Sequence, residues 1–324
     1  MSRKIYAALL VVILSCFMPA LFSGCANKDS NVFEDDGKIH IITTLFAPYD
    51  FAKNIVQEEA DVHMLLAPGE ESHSFDPTPQ DIINIQQCDL FIYNGGESEE
   101  WVESILSDIP PSVKIVKMMD CDFAKFEEEG EDEFDEHVWA SPANAVVITE
   151  AIEAALEEVA SDAGEKDVGV QDESGDRAGL GDIFKRNADT YISKLEKLDD
   201  DIKDVVSHSK RSTLVFGDRF PMRYFTEEFG LDYYAAFPGC SADVEASPST
   251  IVKLVDTVRD NNIPVVLKME LSSGKNAEAI AEETGTEVET FYVCHNVSKE
   301  DFDNGVGYLD LMERNLTVLK KALN

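Results

Sequence analysis

The sequence predicts an α/β protein of two lobes, each a parallel sheet flanked by helices, with a long helix linking them. Three observations predict it. From Lys38 onward, short apolar runs alternate with stretches of helical spacing, the βαβα order that builds a parallel sheet. A second set of the same kind starts at Thr213. Between the two, residues 183–208 place apolar side chains at helical intervals with few breakers, as a rigid connector does.

In the first lobe, 39–44 reads as a strand, and 48–58 as a helix through Phe51, Ile55 and Val56. A second strand at 61–67 leads into Gly69-Glu70-Glu71-Ser72-His73-Ser74-Phe75-Asp76-Pro77. Thr78-Pro79 then opens a helix, with proline at the first position, where no backbone donor is needed. Strands follow at 89–93, ending in Asn94-Gly95-Gly96, and at 113–118. Ser141-Pro142 opens a long helix with Ala145, Ile148, Ile152, Leu156 and Val159 on its apolar face. Residues 161–181 break that pattern; rich in Gly and acids, they read as a mobile insertion.

The linking helix follows, with Ile183, Ala188, Tyr191, Ile192, Leu195, Leu198, Ile202 and Val205 recurring at roughly helical intervals. Strands of the second lobe are expected at 213–216, 231–236, 264–269 and 287–293. Ser247-Pro248 opens one intervening helix, and Gly230 and Gly285 stop two others. Tyr308, Leu311, Met312, Leu316 and Leu319 give the last helix its stripe. The expected organisation is therefore a leader at 1–24, a tether at 25–37, a first lobe at 38–182, the linking helix at 183–208 and a second lobe at 209–324.

The leader has a basic start at Arg3 and Lys4, then an apolar run from Ile5 to Phe22 broken only by Ser15 and Pro19. It ends in Phe22-Ser23-Gly24-Cys25 and resembles a bacterial lipoprotein signal, which would make Cys25 the lipid-bearing first residue. The alternatives are an ordinary cleaved signal or a single membrane anchor. Either way the compartment is outside the cytosol.

Composition narrows the partners. The 324 residues carry a formal net charge of −37, and cleavage after residue 24 would remove Arg3 and Lys4 and no acid, giving −39. Nucleic acid is a poor partner, and none is expected, because its phosphates would be repelled. A cation suits such a field, although solubility alone also explains an acidic surface.

His73 and His137 stand out. Each sits in a loop just ahead of a Ser/Thr-Pro helix start, the second in Asp135-Glu136-His137-Val138-Trp139-Ala140-Ser141-Pro142. Two loop imidazoles held by rigid punctuation suit a borderline-soft divalent cation. An ordinary loop histidine with one hydrogen bond is the rival for each taken singly. By the strand assignment, the His73, His137 and Asp218 loops all lie beyond the carboxyl ends of strands, where open α/β sheets bind ligands.

From about Lys38 to its end, the chain resembles the metal-binding solute-binding proteins of ABC transporters, in particular the zinc-uptake branch. The resemblance rests on Thr43-Thr44-Leu45-Phe46-Ala47-Pro48-Tyr49-Asp50-Phe51, on the two histidine motifs, and on Asp89-Leu90-Phe91-Ile92-Tyr93-Asn94-Gly95-Gly96. It implies the cluster A-type solute-binding fold and a monomeric, lipid-anchored, extracytoplasmic carrier that is not an enzyme. Such a carrier takes up Zn²⁺, or alternatively Mn²⁺ or iron, and passes it to an ABC permease with its ATPase. The family motifs map metal ligation onto His73 and His137. A third ligand usually follows the first strand of the second lobe, where this chain reads Phe216-Gly217-Asp218-Arg219-Phe220, making Asp218 the candidate. A fourth maps to Glu270; capping for Asp218 and loop bracing for Glu270 are the rival roles.

Cys240 and Cys294 both follow strands of the second lobe and are expected to form a disulfide; alternatively Cys240, Cys294 or His295 completes the metal site. Cys88 and Cys121 lie at opposite strand ends and are expected to stay unpaired. His40, His63 and His208 read as structural or solvated. The acidic run 127–136 reads as a solvated loop that raises the local cation concentration. Rival functions are a zinc-dependent hydrolase, against which stands the lack of a His-Glu-x-x-His motif, and a surface adhesin, for which no repeat or wall anchor is found.

Overall fold

The first sheet is built from β1 (Ile39–Thr43), β2 (Ala60–Met64), β3 (Leu90–Tyr93) and β4 (Lys114–Lys117), in the order β2-β1-β3-β4, all parallel. Ile41 lies opposite both Val62 and Leu90. Every residue of β3 is buried, as expected of a strand covered on both faces. The computed structural model describes residues 32–33, 37–126, 134–166, 179–237 and 246–324. Met1–Glu34 forms one unit, of which only Val32 and Phe33 are described; the site lies wholly within the second unit, Asp35–Asn324.

Three helices interleave with these strands: α1 (Phe46–Val56), α2 (Pro79–Gln87) and α3 (Glu100–Ile105). The Thr78 hydroxyl accepts from the Asp81 N–H, and the Asp81 carboxylate accepts from the Thr78 N–H, so the Thr-Pro start is a full capping box. After β4 come α4 (Pro142–Lys166) and the linking helix α5 (Leu180–Ser207). The break expected at 161 is absent, for α4 runs on to Lys166; residues 167–178 lie outside the described residues.

The second sheet repeats the first: β5 (Thr213–Phe216), β6 (Asp232–Ala235), β7 (Val265–Met269) and β8 (Glu287–Phe291), in the order β6-β5-β7-β8, all parallel. Its helices are α6 (Arg223–Phe229), α7 (Pro248–Asp260), α8 (Lys275–Thr284), α9 (Lys299–Asp303) and α10 (Tyr308–Ala322). Gly230 and Gly285 end α6 and α8 in the left-handed conformation, and the Ser247 hydroxyl caps α7, as the sequence suggests.

One apolar core runs through both sheets. It joins Ile41 and Phe51 of the first lobe to Tyr191, Leu195 and Ile202 of α5 and to Phe216, Leu267 and Leu319 of the second. Helix α5 packs on α1, α4 and α10 at once. A smaller core around Val215, Val255 and Val266 fills the other face of the second sheet. Because the lobes share a close-packed interior, the strand-end loops between them are held in fixed register.

Candidate metal centre

Three histidines meet where the carboxyl ends of the strands face one another. His73 lies in a short 3₁₀ turn, Ser72–Ser74, beyond β2. His137 precedes a second 3₁₀ turn, Val138–Ala140, which leads directly into α4. His295 follows β8. One ring nitrogen from each lies within 4.8 Å of the others. The His137 and His295 ring centroids are 4.5 Å apart, those of His73 and His295 5.6 Å, and those of His73 and His137 6.4 Å.

Each ring is held by its surroundings. His137 is fully buried, and its Nδ1 is 2.8 Å from Asp135 Oδ1, which also accepts the His137 backbone N–H. An imidazole that donates Nδ1–H to a carboxylate offers Nε2 as its lone-pair atom. His73 Nδ1 lies 2.7 Å from the Ser98 hydroxyl. His295 is fixed through its backbone: its carbonyl accepts the Phe46 N–H at 3.0 Å, so a first-lobe helix start holds a second-lobe loop. Asn296 fastens the same loop, donating to the carbonyls of Ala67 (2.7 Å) and Glu70 (2.9 Å) in the His73 loop. The Trp139 indole N–H donates to the Val293 carbonyl at 2.6 Å.

Burial, together with the neighbouring His137, His73 and Arg219, holds the His295 pKa well below the ordinary imidazole range. The ring is therefore neutral at physiological pH, the state a metal requires. Arg219 pairs with Glu71 at 3.1 Å beside the cluster. Three imidazole nitrogens converging from separate loops form a donor set suited to a borderline-soft divalent ion.

The structure brings His73 and His137 together as the sequence suggests, and beside them it places His295, one of the alternatives for completing the site, rather than the two carboxylates. Asp218 stands outside the cluster. It is buried at the end of β5, and its carboxylate accepts the N–H groups of Arg219 (2.9 Å) and Met269 (3.3 Å). Glu270 also stands outside: its carboxylate accepts from Val293 N (2.9 Å) and Cys294 N (2.7 Å), so it braces the turn that presents His295. Burial raises the Glu270 pKa to about 7 despite those two donors.

Cys294 is a free thiol with no exposed surface, packed into the shared core rather than bonded to a second cysteine; Cys240 lies outside the described residues. Burial, with Glu270 and Asp50 nearby, pushes that thiol pKa far up, so the metal-free protein holds it as a neutral thiol. Cys88 and Cys121 are also free. Cys25 and residues 127–133 of the acidic run lie outside the described residues. The signal for His295 was its place just past the last strand of the second lobe, the same edge that carries the other two loops.

If Asp218 only braces the backbone, Asp218→Asn should leave Zn²⁺ affinity within about 2-fold, as for a residue sharing no contact with the ligands. It should still lower the melting temperature, since the amide would face a backbone donor at a cost of about 1–3 kcal/mol. Titration calorimetry and a thermal melt check both, and a large loss of affinity would put Asp218 back among the ligands.

The model of the family described as zinc-uptake complex component A, periplasmic, matches residues 41–167 and 178–322. The chain belongs to that family. This zinc-uptake component is 31% identical to the high-affinity zinc uptake system protein ZnuA of Bacillus subtilis (strain 168) over 329 residues, 97% of each chain. The Zn(II)-bound ZnuA-like domain of Streptococcus pneumoniae AdcA matches with a TM-score of 0.72 at 28% identity, over 88% of this chain and 99% of that one. The metal-dependent lipoprotein YcdH of Bacillus subtilis matches with a TM-score of 0.73 at 30% identity, over 88% and 99%. Its relatives are solute-binding components of uptake systems, so this zinc-uptake component is a carrier and not an enzyme.

Proposed function

We propose that this zinc-uptake component captures Zn²⁺ outside the cytosol with His73, His137 and His295 and delivers it to an ABC permease for import. The observation that carries the reading is the convergence of three ring nitrogens within 4.8 Å from loops of both lobes. The names of its relatives, a zinc uptake protein and a Zn(II)-bound domain, support zinc as the cargo. Lipid attachment at Cys25 would keep the carrier at the membrane beside its permease; the lipoprotein YcdH supports that part. Cys25→Ser should then abolish labelling of the protein by radioactive fatty acid in cells.

Nitrogen ligands select the metal. Three imidazoles, joined by no carboxylate among the described residues, favour zinc over manganese, which prefers oxygen-rich sites of higher coordination, and the natural affinity order points the same way. Zn²⁺ should displace bound Mn²⁺ at equal concentration in a competition titration. If Mn²⁺ displaces Zn²⁺ instead, the cargo is manganese and the uptake reading stands.

Acid should weaken capture. Protonated imidazole cannot ligate, so affinity falls once pH drops far enough to protonate the ligating rings, about 6.5 for a free imidazole. His295 contributes little to that loss in mild acid, because its folded pKa lies well below that value. Calorimetry across the mildly acidic range measures the slope; an affinity independent of pH would exclude ligation by any imidazole that titrates within it.

A further inference from the structure

Adjacent residues Asp135 and Glu136 serve different histidines. Asp135 holds His137 directly. The Glu136 carboxylate lies 3.6 Å from His73 Nδ1, too far for a direct hydrogen bond. Ser98 fills the gap: its hydroxyl is 2.7 Å from His73 Nδ1 and donates to Glu136 Oε1, while its backbone N–H donates to Glu136 Oε2 at 3.2 Å.

We propose that Glu136, acting through Ser98, is a positioning residue that holds His73 as the Nδ1–H tautomer, with Nε2 as its metal-ligating atom. The argument is a proton count. An ionised carboxylate only accepts, and a hydroxyl has one proton to give. With that proton donated toward Glu136, the Ser98 oxygen is an acceptor toward the imidazole, so His73 must donate from Nδ1. The lone pair then resides on Nε2, and the chain from carboxylate through hydroxyl to imidazole makes that nitrogen a better donor to metal.

The surroundings are shaped for this contact. Gly96 has φ of +88°, and a Cβ there would come within 2.5 Å of Glu136 Oε2 and 2.9 Å of Glu136 Cβ, so only glycine lets Glu136 approach. The Asn94 side chain donates to the Glu136 carbonyl at 2.8 Å. The Asn94 and Gly95 backbone N–H groups donate to Glu99 at 2.7 and 2.8 Å, which fixes the turn. The Asn94-Gly95-Gly96 motif thus serves the orientation of a histidine that lies on another loop.

This inference rests on the reading that His73 ligates zinc, and one readout is independent of metal. Long-range ¹H–¹⁵N NMR of the metal-free protein at mildly alkaline pH should show His73 as the Nδ1–H tautomer. Ser98→Ala should shift it toward Nε2–H and weaken Zn²⁺ binding by about 10-fold, the low end for loss of an outer partner. Glu136→Gln should weaken binding similarly, and Ser98→Thr, which keeps the hydroxyl, should restore both tautomer and affinity. An Nε2–H tautomer in the parent overturns the proposal, as does a Ser98→Ala protein with parental tautomer and affinity. A parent that shows Nδ1–H but binds no zinc keeps the relay and removes the metal reading instead.

Discussion

His295→Ala is expected to raise the Kd for Zn²⁺ by more than about 100-fold, beyond the roughly 10–100-fold that loss of an outer-sphere partner costs. The ring supplies one of three clustered nitrogens, and among the described residues no other His, Cys, Asp or Glu joins that cluster. The substitution should spare the fold, because the loop is held by groups other than the ring: the His295 carbonyl on Phe46, Asn296 on Ala67 and Glu70, and Glu270 on Val293 and Cys294. Chelator competition measures the affinity, and circular dichroism checks folding. A folded His295→Ala protein that keeps parental affinity would remove His295 from the site. Loss in Asp218→Asn but not in His295→Ala would return the third ligand to the end of β5.

Trp139→Ala carries the largest expected cost in stability. The side chain is 1% exposed and packs 5.2 Å from the His295 ring and 5.7 Å from that of His137, centroid to centroid. Its N–H reaches the Val293 carbonyl of the second lobe, and its own carbonyl accepts the Tyr308 hydroxyl at 2.8 Å. Truncation leaves a large cavity, at a cost of about 3–5 kcal/mol. A protein of this size should then lose roughly 10 °C in melting temperature. Trp139→Phe keeps most of the ring but leaves the Val293 carbonyl unpaired, costing about 1–3 kcal/mol. Scanning calorimetry of the metal-free proteins separates packing from the hydrogen bond. An unchanged melting temperature in Trp139→Ala would mean that Trp139 does not tie the lobes together.

Much of the site was legible because much of it is local. His73 and His137 each precede a helix start marked by Thr-Pro or Ser-Pro, and that chemistry needs only neighbouring residues: Thr78 and Asp81 cap each other three positions apart. The bracing role of Glu270 was among the readings open to the sequence, because a carboxylate past a strand end meets either a metal or the backbone donors of the next loop. The disulfide expectation read only a strand end: Cys294 does follow a strand, but its thiol is buried in the core shared by both lobes, and Cys240 lies outside the described residues.

The sequence by itself determined the elements, their order, and the two histidine loops. Periodicity, caps and stop signals act over a few residues, and the chain carries them in plain form. Only the tertiary structure decided that the third imidazole is His295 and that Asp218 turns to the backbone. Ligation depends on which atoms end a few ångströms apart, and residues 73, 137 and 295 are far apart in the chain. Their meeting is set by how two twisted sheets pack on one common core, a long-range outcome that no local pattern encodes.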